Sequence, residues 1–165
     1  MVEIRPATVA DVPAVARVWH SGWADGHLGH VPDELVRART PESFAQRAAD
    51  LVARTAVAVV DGEVAGFVMV EGDEVEQVYV SADHRGAGVA DVLLAEAERR
   101  VAAHHDTAWL AVVAGNTRAR RFYERHGWTD SGPFVHQAPG GIAVPAHRYV
   151  KRLPEAVSRN AGEDQ

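Results

Sequence analysis

The chain contains no cysteine, so disulfides, thiolate metal sites and a cysteine nucleophile are all excluded. It also lacks any apolar run as long as a membrane span. Its first residues show no basic segment followed by an apolar one, as a secretory signal would. A basic surplus is missing as well. Seventeen Lys and Arg stand against 23 Asp and Glu, a formal net charge of −6. That balance argues against a general nucleic-acid binder and suits a cationic partner, such as an amine. The expected setting is cytoplasmic, without membrane or nucleic-acid partners. The 165 residues suit one compact domain over 1–153, with 154–165, which has no apolar stripe, as a loose tail.

Two common phosphate-binding signatures are absent too. No Gly-Lys-Ser/Thr loop occurs, and the one G-x-G pair, Gly86 and Gly88, is followed by Asp91 where a dinucleotide fingerprint needs Gly or Ala. What is present is the stretch from Glu74 to Arg100, around which the chain is organised. Val75, Val78, Tyr79 and Val80 suit a strand. Val89, Val92, Leu93, Ala97 and Val101 then recur at helical spacing. Between them lie Arg85, Gly86, Ala87, Gly88, Val89 and Ala90. Small side chains there leave the amides of a helix N-terminus uncovered, and such amides bind phosphates.

Read in order, Val2 to Arg5 forms a short strand. Thr8 and Asp11 have the form of a capping box before a helix carrying Val12, Val15, Trp19 and Trp23 on one face. Gly22 to Pro32 reads as a loop, and Thr40-Pro41 as the start of a second helix with Phe44, Ala48, Leu51 and Val52 inward. Ala56–Val60 and Val64–Val70 around Asp61-Gly62 make a hairpin. A strand over Ala108–Val113, a helix over Thr117–His126 capped by Gly127, and two late strands joined by a loop from Ala138 to Pro145 complete the chain. The order is strand, two helices, three strands, helix, strand, helix, two strands, which implies an α/β mixed sheet.

The segment Arg85-x-x-Gly88-x-Ala90 resembles the Q/R-x-x-G-x-G/A pyrophosphate-binding motif of the GNAT N-acetyltransferases. Asn116-x-x-Ala119-x-x-Phe122-Tyr123-x-x-x-Gly127-Trp128 is similar to a second family segment, and the order of elements is also that of the GNAT fold. The resemblance spans roughly Val2 to Leu153. It implies a mostly antiparallel sheet with one splayed strand pair, flanked by helices, and acetyl-CoA as the donor. By that resemblance, Val78, Tyr79 and Val80 present backbone to pantetheine, and the amides of 85–90 hold the pyrophosphate. Asn116 and Ala119 contact the coenzyme, and Arg120 or Arg121 reaches its 3′-phosphate. Tyr123 touches the coenzyme and protonates the leaving thiolate, since a phenol keeps its proton at neutral pH. Asp91 departs from the basic or small residue many relatives carry; it either weakens coenzyme binding or complements the helix dipole.

The acceptor side rests on strand alternation, which places Glu74, Glu76, Val78 and Val80 on one face. Glu74 matches the position that carries the general-base glutamate in histone-acetylating members of the superfamily, and Glu76 lies closer to the reacting centre. Either removes the amine proton, or the pair attracts a cationic amine without taking its proton. Trp23, Asp25, His27 and His30, with Glu76, form the expected acceptor wall; no metal site is expected. The implied activity is acetyl transfer to the primary amine of a small molecule. Transfer to protein N-termini or lysines, and a non-catalytic acyl-CoA-binding module, are the alternatives. Homodimers are frequent in the family.

Overall fold

The computed structural model describes residues 1–138 and 140–154; the proposed tail over 154–165 lies outside them beyond its first residue. Seven strands form one sheet: β1 (Glu3–Pro6), β2 (Thr55–Val60), β3 (Glu63–Glu71), β4 (Glu74–Val80), β5 (Thr107–Val113), β6 (Thr129–Ala138) and β7 (Ile142–Arg152). Five α-helices accompany them: α1 (Val12–His27), α2 (Asp33–Ala38), α3 (Pro41–Asp50), α4 (Val89–Ala102) and α5 (Thr117–Arg125). The strand order is β1-β2-β3-β4-β5-β7-β6. Every neighbouring pair is antiparallel except β4 and β5, which run parallel and share one registered pair, Glu74 with Trp109. The mixed sheet with one splayed pair is the expected fold.

Two hydrophobic clusters hold the layers together. Leu93, Leu94, Ala97 and Val101 of α4 pack on Ala58, Val68 and Val75 of the sheet. Trp19 of α1 meets Phe44 of α3 at 5.5 Å and Phe67 of β3 at 5.7 Å between ring centroids. The sequence reading of α4 needs one exchange: Val92 is exposed and Leu94 is buried. The expected tie between Thr8 and Asp11 forms. The Thr8 N–H donates to Asp11 at 2.7 Å, and Arg5 grips the same carboxylate at 2.7 and 3.0 Å. That guanidinium holds Asp11 down at about 2.

Three segments depart from expectation. First, the stretch after Gly22 is helical as far as His27. Gly22 and Gly26 are there for close approach and not for a turn. A Cβ on Gly22 would strike the Tyr79 ring, and one on Gly26 would lie 2.7 Å from Asn116 Nδ2. In mid-helix, Gly→Ala ordinarily stabilises by about 0.5–1 kcal/mol. Gly22→Ala is expected to do the reverse and lower stability by about 1–3 kcal/mol through overpacking against Tyr79, read as a lower denaturant midpoint. Second, α2 adds a helix that the sequence reading omitted; its six residues bury only Leu35, too little for a periodic signal. Third, the expected loop from Ala138 to Pro145 is mostly strand. β6 and β7 pair from Thr129–Val150 to Ala138–Ile142, and both prolines lie where a lost N–H is tolerated. Pro133 is on the edge strand. Pro145 lies just past the last β5–β7 pair, its carbonyl accepting from Ala114 N–H at 3.3 Å.

Candidate active site

The site grows from the divergence of β4 and β5. After Glu74 and Trp109 no rung joins them, so one edge of β4 is free of backbone partners. The Ser81 N–H donates to Ala65 on β3 at 2.8 Å. By alternation Tyr79 also turns its peptide groups to β3, and Val78 and Val80 turn theirs into the splay. Tyr79 instead contributes its ring, packed 5.8 Å from Phe67.

Alternation fails further back along β4. Pairing with β3 passes from Gln77–Met69 to Val75–Val70, leaving Glu76 as a bulge. Val75 therefore joins Val78 and Val80 on the α4 side of the sheet. Glu74 emerges on the opposite face. The expectation that Glu74, Glu76, Val78 and Val80 share one face is thus corrected; an extra residue shifts the period.

Beyond β4 the chain turns into α4 through Gly86 and Gly88, at φ +81° and +78°. A Cβ built on either meets nothing within 4 Å, so the turn is open. Among the described residues, no backbone N–H from Arg85 to Asp91 donates a hydrogen bond; the first of α4 is that of Val92, to Gly88. These free amides and the helix dipole are the donor set a diphosphate requires. They border a cavity of about 670 Å³ whose walls include Val78, Val80, Arg85, Gly88, Ala90 and Tyr123. Arg118, Arg121 and Arg125 of α5 line it too and add the positive charge a polyanion needs. Gly86, Val89, Asn116 and Ala119 also line it, whereas Ala87 does not.

A second cavity of about 330 Å³ lies against Glu74, Glu76, His27, Arg47, His136 and Gln137. It touches the first at Val78, Tyr79, Asn116, Ala119 and Tyr123. Tyr123 stands at that junction, its ring 6.0 Å from Trp128 and 6.3 Å from Tyr149, and burial raises its phenol pKa. Asn116 caps α5, its Oδ1 accepting from Ala119 N–H at 3.1 Å.

The two carboxylates are unlike. Burial first, then the charges of Glu76 and Asp73, push Glu74 up to about 7. Glu76 is bound to Arg54 at 2.8 Å. His27 stacks on Trp23 at 4.8 Å and donates from Nδ1 to the Trp23 carbonyl at 2.9 Å. Burial drives it down to about 4, so it is neutral at neutral pH and a poor proton relay.

Several expected site residues fall elsewhere. Arg120, part-buried, is engaged with the protein itself, with the Tyr149 hydroxyl at 3.0 Å, the Ala114 carbonyl at 3.0 Å and Asp130 at 3.1 Å, whereas Arg121 faces the larger cavity. Asp25 borders the larger cavity and not the acceptor side, its carboxylate 2.7 Å from Arg85. Trp23 is a core residue, and His30 packs on Gly115; neither lines either of these two cavities. Asp91 turns to His126 at 2.8 Å and links α4 to α5. The sequence reading missed Arg47, His136 and Gln137. The last two lie in β6 just before the expected loop, where the sequence reading assigned no strand; Arg47 carries no signal beyond its place one turn after Phe44.

No curated protein matches the sequence. Solved structures do share the fold. A GCN5-related N-acetyltransferase from Rhodopseudomonas palustris superposes with a TM-score of 0.73 at 20% identity, covering 92% of this chain and 95% of that one. The PaiA N-acetyltransferase of Thermoplasma acidophilum, solved in complex with coenzyme A, gives 0.72 at 18%, with 92% and 99% covered. A ribosomal-protein-alanine N-acetyltransferase from Brucella melitensis gives 0.68 at 23%, again with 92% and 99% covered. The model of the acetyltransferase (GNAT) family matches residues 19–128, more than half of the chain. With the free amides, the arginine-lined cavity and that match in agreement, the chain belongs to the GNAT family of N-acetyltransferases, whose donor is acetyl-CoA.

Proposed function

We propose that this enzyme transfers acetyl from acetyl-CoA directly to the primary amine of a small molecule. The observation that carries the reading is the meeting of two unlike cavities at Val78 and Tyr123. The larger offers amides and arginines to a diphosphate. The smaller is walled by α1, α3 and the β6–β7 hairpin and has the volume of a small-molecule pocket. A walled pocket favours a small amine over a protein lysine or N-terminus. The coenzyme supplies the acetyl group as a thioester.

In this scheme the amine nitrogen attacks the thioester carbonyl, a C–N bond forms and the C–S bond breaks. Glu74, directly or through water, takes the amine proton; Tyr123 gives its proton to the leaving sulfur. The free backbone N–H of Val78 polarises the carbonyl. Glu74 suits its role because its carboxyl stands at about 7, near the working pH. Glu76, bound to Arg54, holds the base in an acidic setting. CoA release measured across a panel of amines tests the reading; a protein that releases CoA with none of them is a binding module.

Glu74 adds a pH prediction. The rate should climb with pH through about 7 as Glu74 ionises. Glu74→Gln should flatten that limb and lower kcat about ten- to a hundredfold, read in the pH–rate profile. Stability carries an independent signature. A carboxyl raised in the folded state above its ordinary 4.5 contributes stability at low pH that is lost as pH rises through about 7. Glu74→Gln should therefore raise Tm at pH 8 and leave it nearly unchanged at pH 4.

A further inference from the structure

The smaller cavity carries a guanidinium that moving an acetyl group does not require, and a second lies behind its lining. Arg47 lines it, its guanidinium 4.3 Å above the Trp19 ring. Arg39, between α2 and α3, is near enough for its charge to bear on Arg47, His27 and His136. Its Nε is sealed from solvent and has no hydrogen-bond partner among the described residues. Neither guanidinium forms an ion pair with a described residue. The carboxylates nearby answer to other needs, Glu76 being bound to Arg54. Burial lowers both arginines, Arg47 to about 10, with the charge of Arg39 as its second cause. Two partly buried guanidiniums that feel each other's charge and have no ion pair are costly, and an incoming anion relieves that cost. Guanidinium also matches carboxylate and phosphonate geometry through paired N–H donors.

We propose that the acceptor carries, besides its amine, an anionic oxyacid group, as an amino acid does, seated at Arg47 and favoured by the charge of Arg39, with the amine turned toward Glu74 and Tyr123. This rests on the smaller cavity being the acceptor pocket. The cavity is then a two-ended receptor: carboxylates from β4 meet the ammonium as it arrives, and guanidiniums from the α3 side hold the opposite charge. Tyr79 lines the same cavity and lies within the field of both arginines and of Tyr123.

The test is CoA release with matched acceptors: a set of amino acids, the carboxamide of each, and the aminophosphonate of like chain length. The expected result is a kcat/KM at least tenfold higher for an acid or phosphonate than for its carboxamide. The two acids together report which oxyanion fits better. Arg47→Gln should lower kcat/KM for the anionic acceptor at least tenfold more than for the carboxamide, through KM. Arg39→Gln should do the same to a smaller degree, and serves alone if loss of the Trp19 contact unfolds the first variant. Coenzyme affinity and Tm report integrity in each. Equal turnover of acid and carboxamide by the wild type, or an equal loss for both in either folded variant, overturns this inference and leaves amine acetylation standing. No turnover with any amine overturns both.

Discussion

Tyr123→Phe is expected to lower kcat by about 10²–10³-fold with coenzyme affinity little changed. The substitution keeps the ring, so the contacts with Phe122, Trp128 and Tyr149 at 5.3, 6.0 and 6.3 Å persist. Only the hydroxyl goes, and with it the proton held ready by burial. Calorimetry with CoA separates the two effects, and stopped-time assays with the best amine measure the rate. A retained kcat would remove Tyr123 from the chemistry and leave water to protonate the thiolate. An equal fall in coenzyme affinity and kcat would make the residue a wall and not an acid.

Gly88→Val should weaken coenzyme binding by about a hundredfold. At φ +78° a β-branched residue is strained by about 1–3 kcal/mol, and its side chain would stand over the free amides at the start of α4. Strain alone is separated by a matched control. Gly72, in the β3–β4 turn at φ +60°, also has open space around a built Cβ and lies in neither cavity. Gly72→Val should therefore lower Tm to a similar degree and leave the Kd for CoA where it was. If both variants lose coenzyme alike, the amides of 85–91 are not the anion site.

The difference between what the sequence announced and what it withheld is physical. Hairpin turns and helix caps are local, so Asp61-Gly62, Thr40-Pro41 and Gly127 marked their elements correctly. The motif residues Arg85, Gly88, Asn116 and Tyr123 come together around one cavity because a strand–turn–helix unit and the next cap set them there. Glycine misled where its reason was tertiary. Gly22 and Gly26 look like loop residues until Tyr79 and Asn116 are seen against them. The same holds for the bulge at Glu76, which exists through pairing with Met69 and Val70 on another strand. Strand alternation could not register it, and so misassigned the face of Glu74. Arg120 and Arg121 were indistinguishable in the sequence. Only the positions of Asp130 and the Tyr149 hydroxyl decide which of them faces inward.

The single rung between β4 and β5 also bears on product traffic. In the proposed reading donor and acceptor occupy two cavities that share Val78, Tyr79, Asn116, Ala119 and Tyr123, so each reaction partner would have its own doorway. Spent CoA would then compete with acetyl-CoA and not with the amine, and the acetylated product would compete with the amine and not with the coenzyme. An enzyme so divided would discharge either product first and reload one side while the other is still emptying.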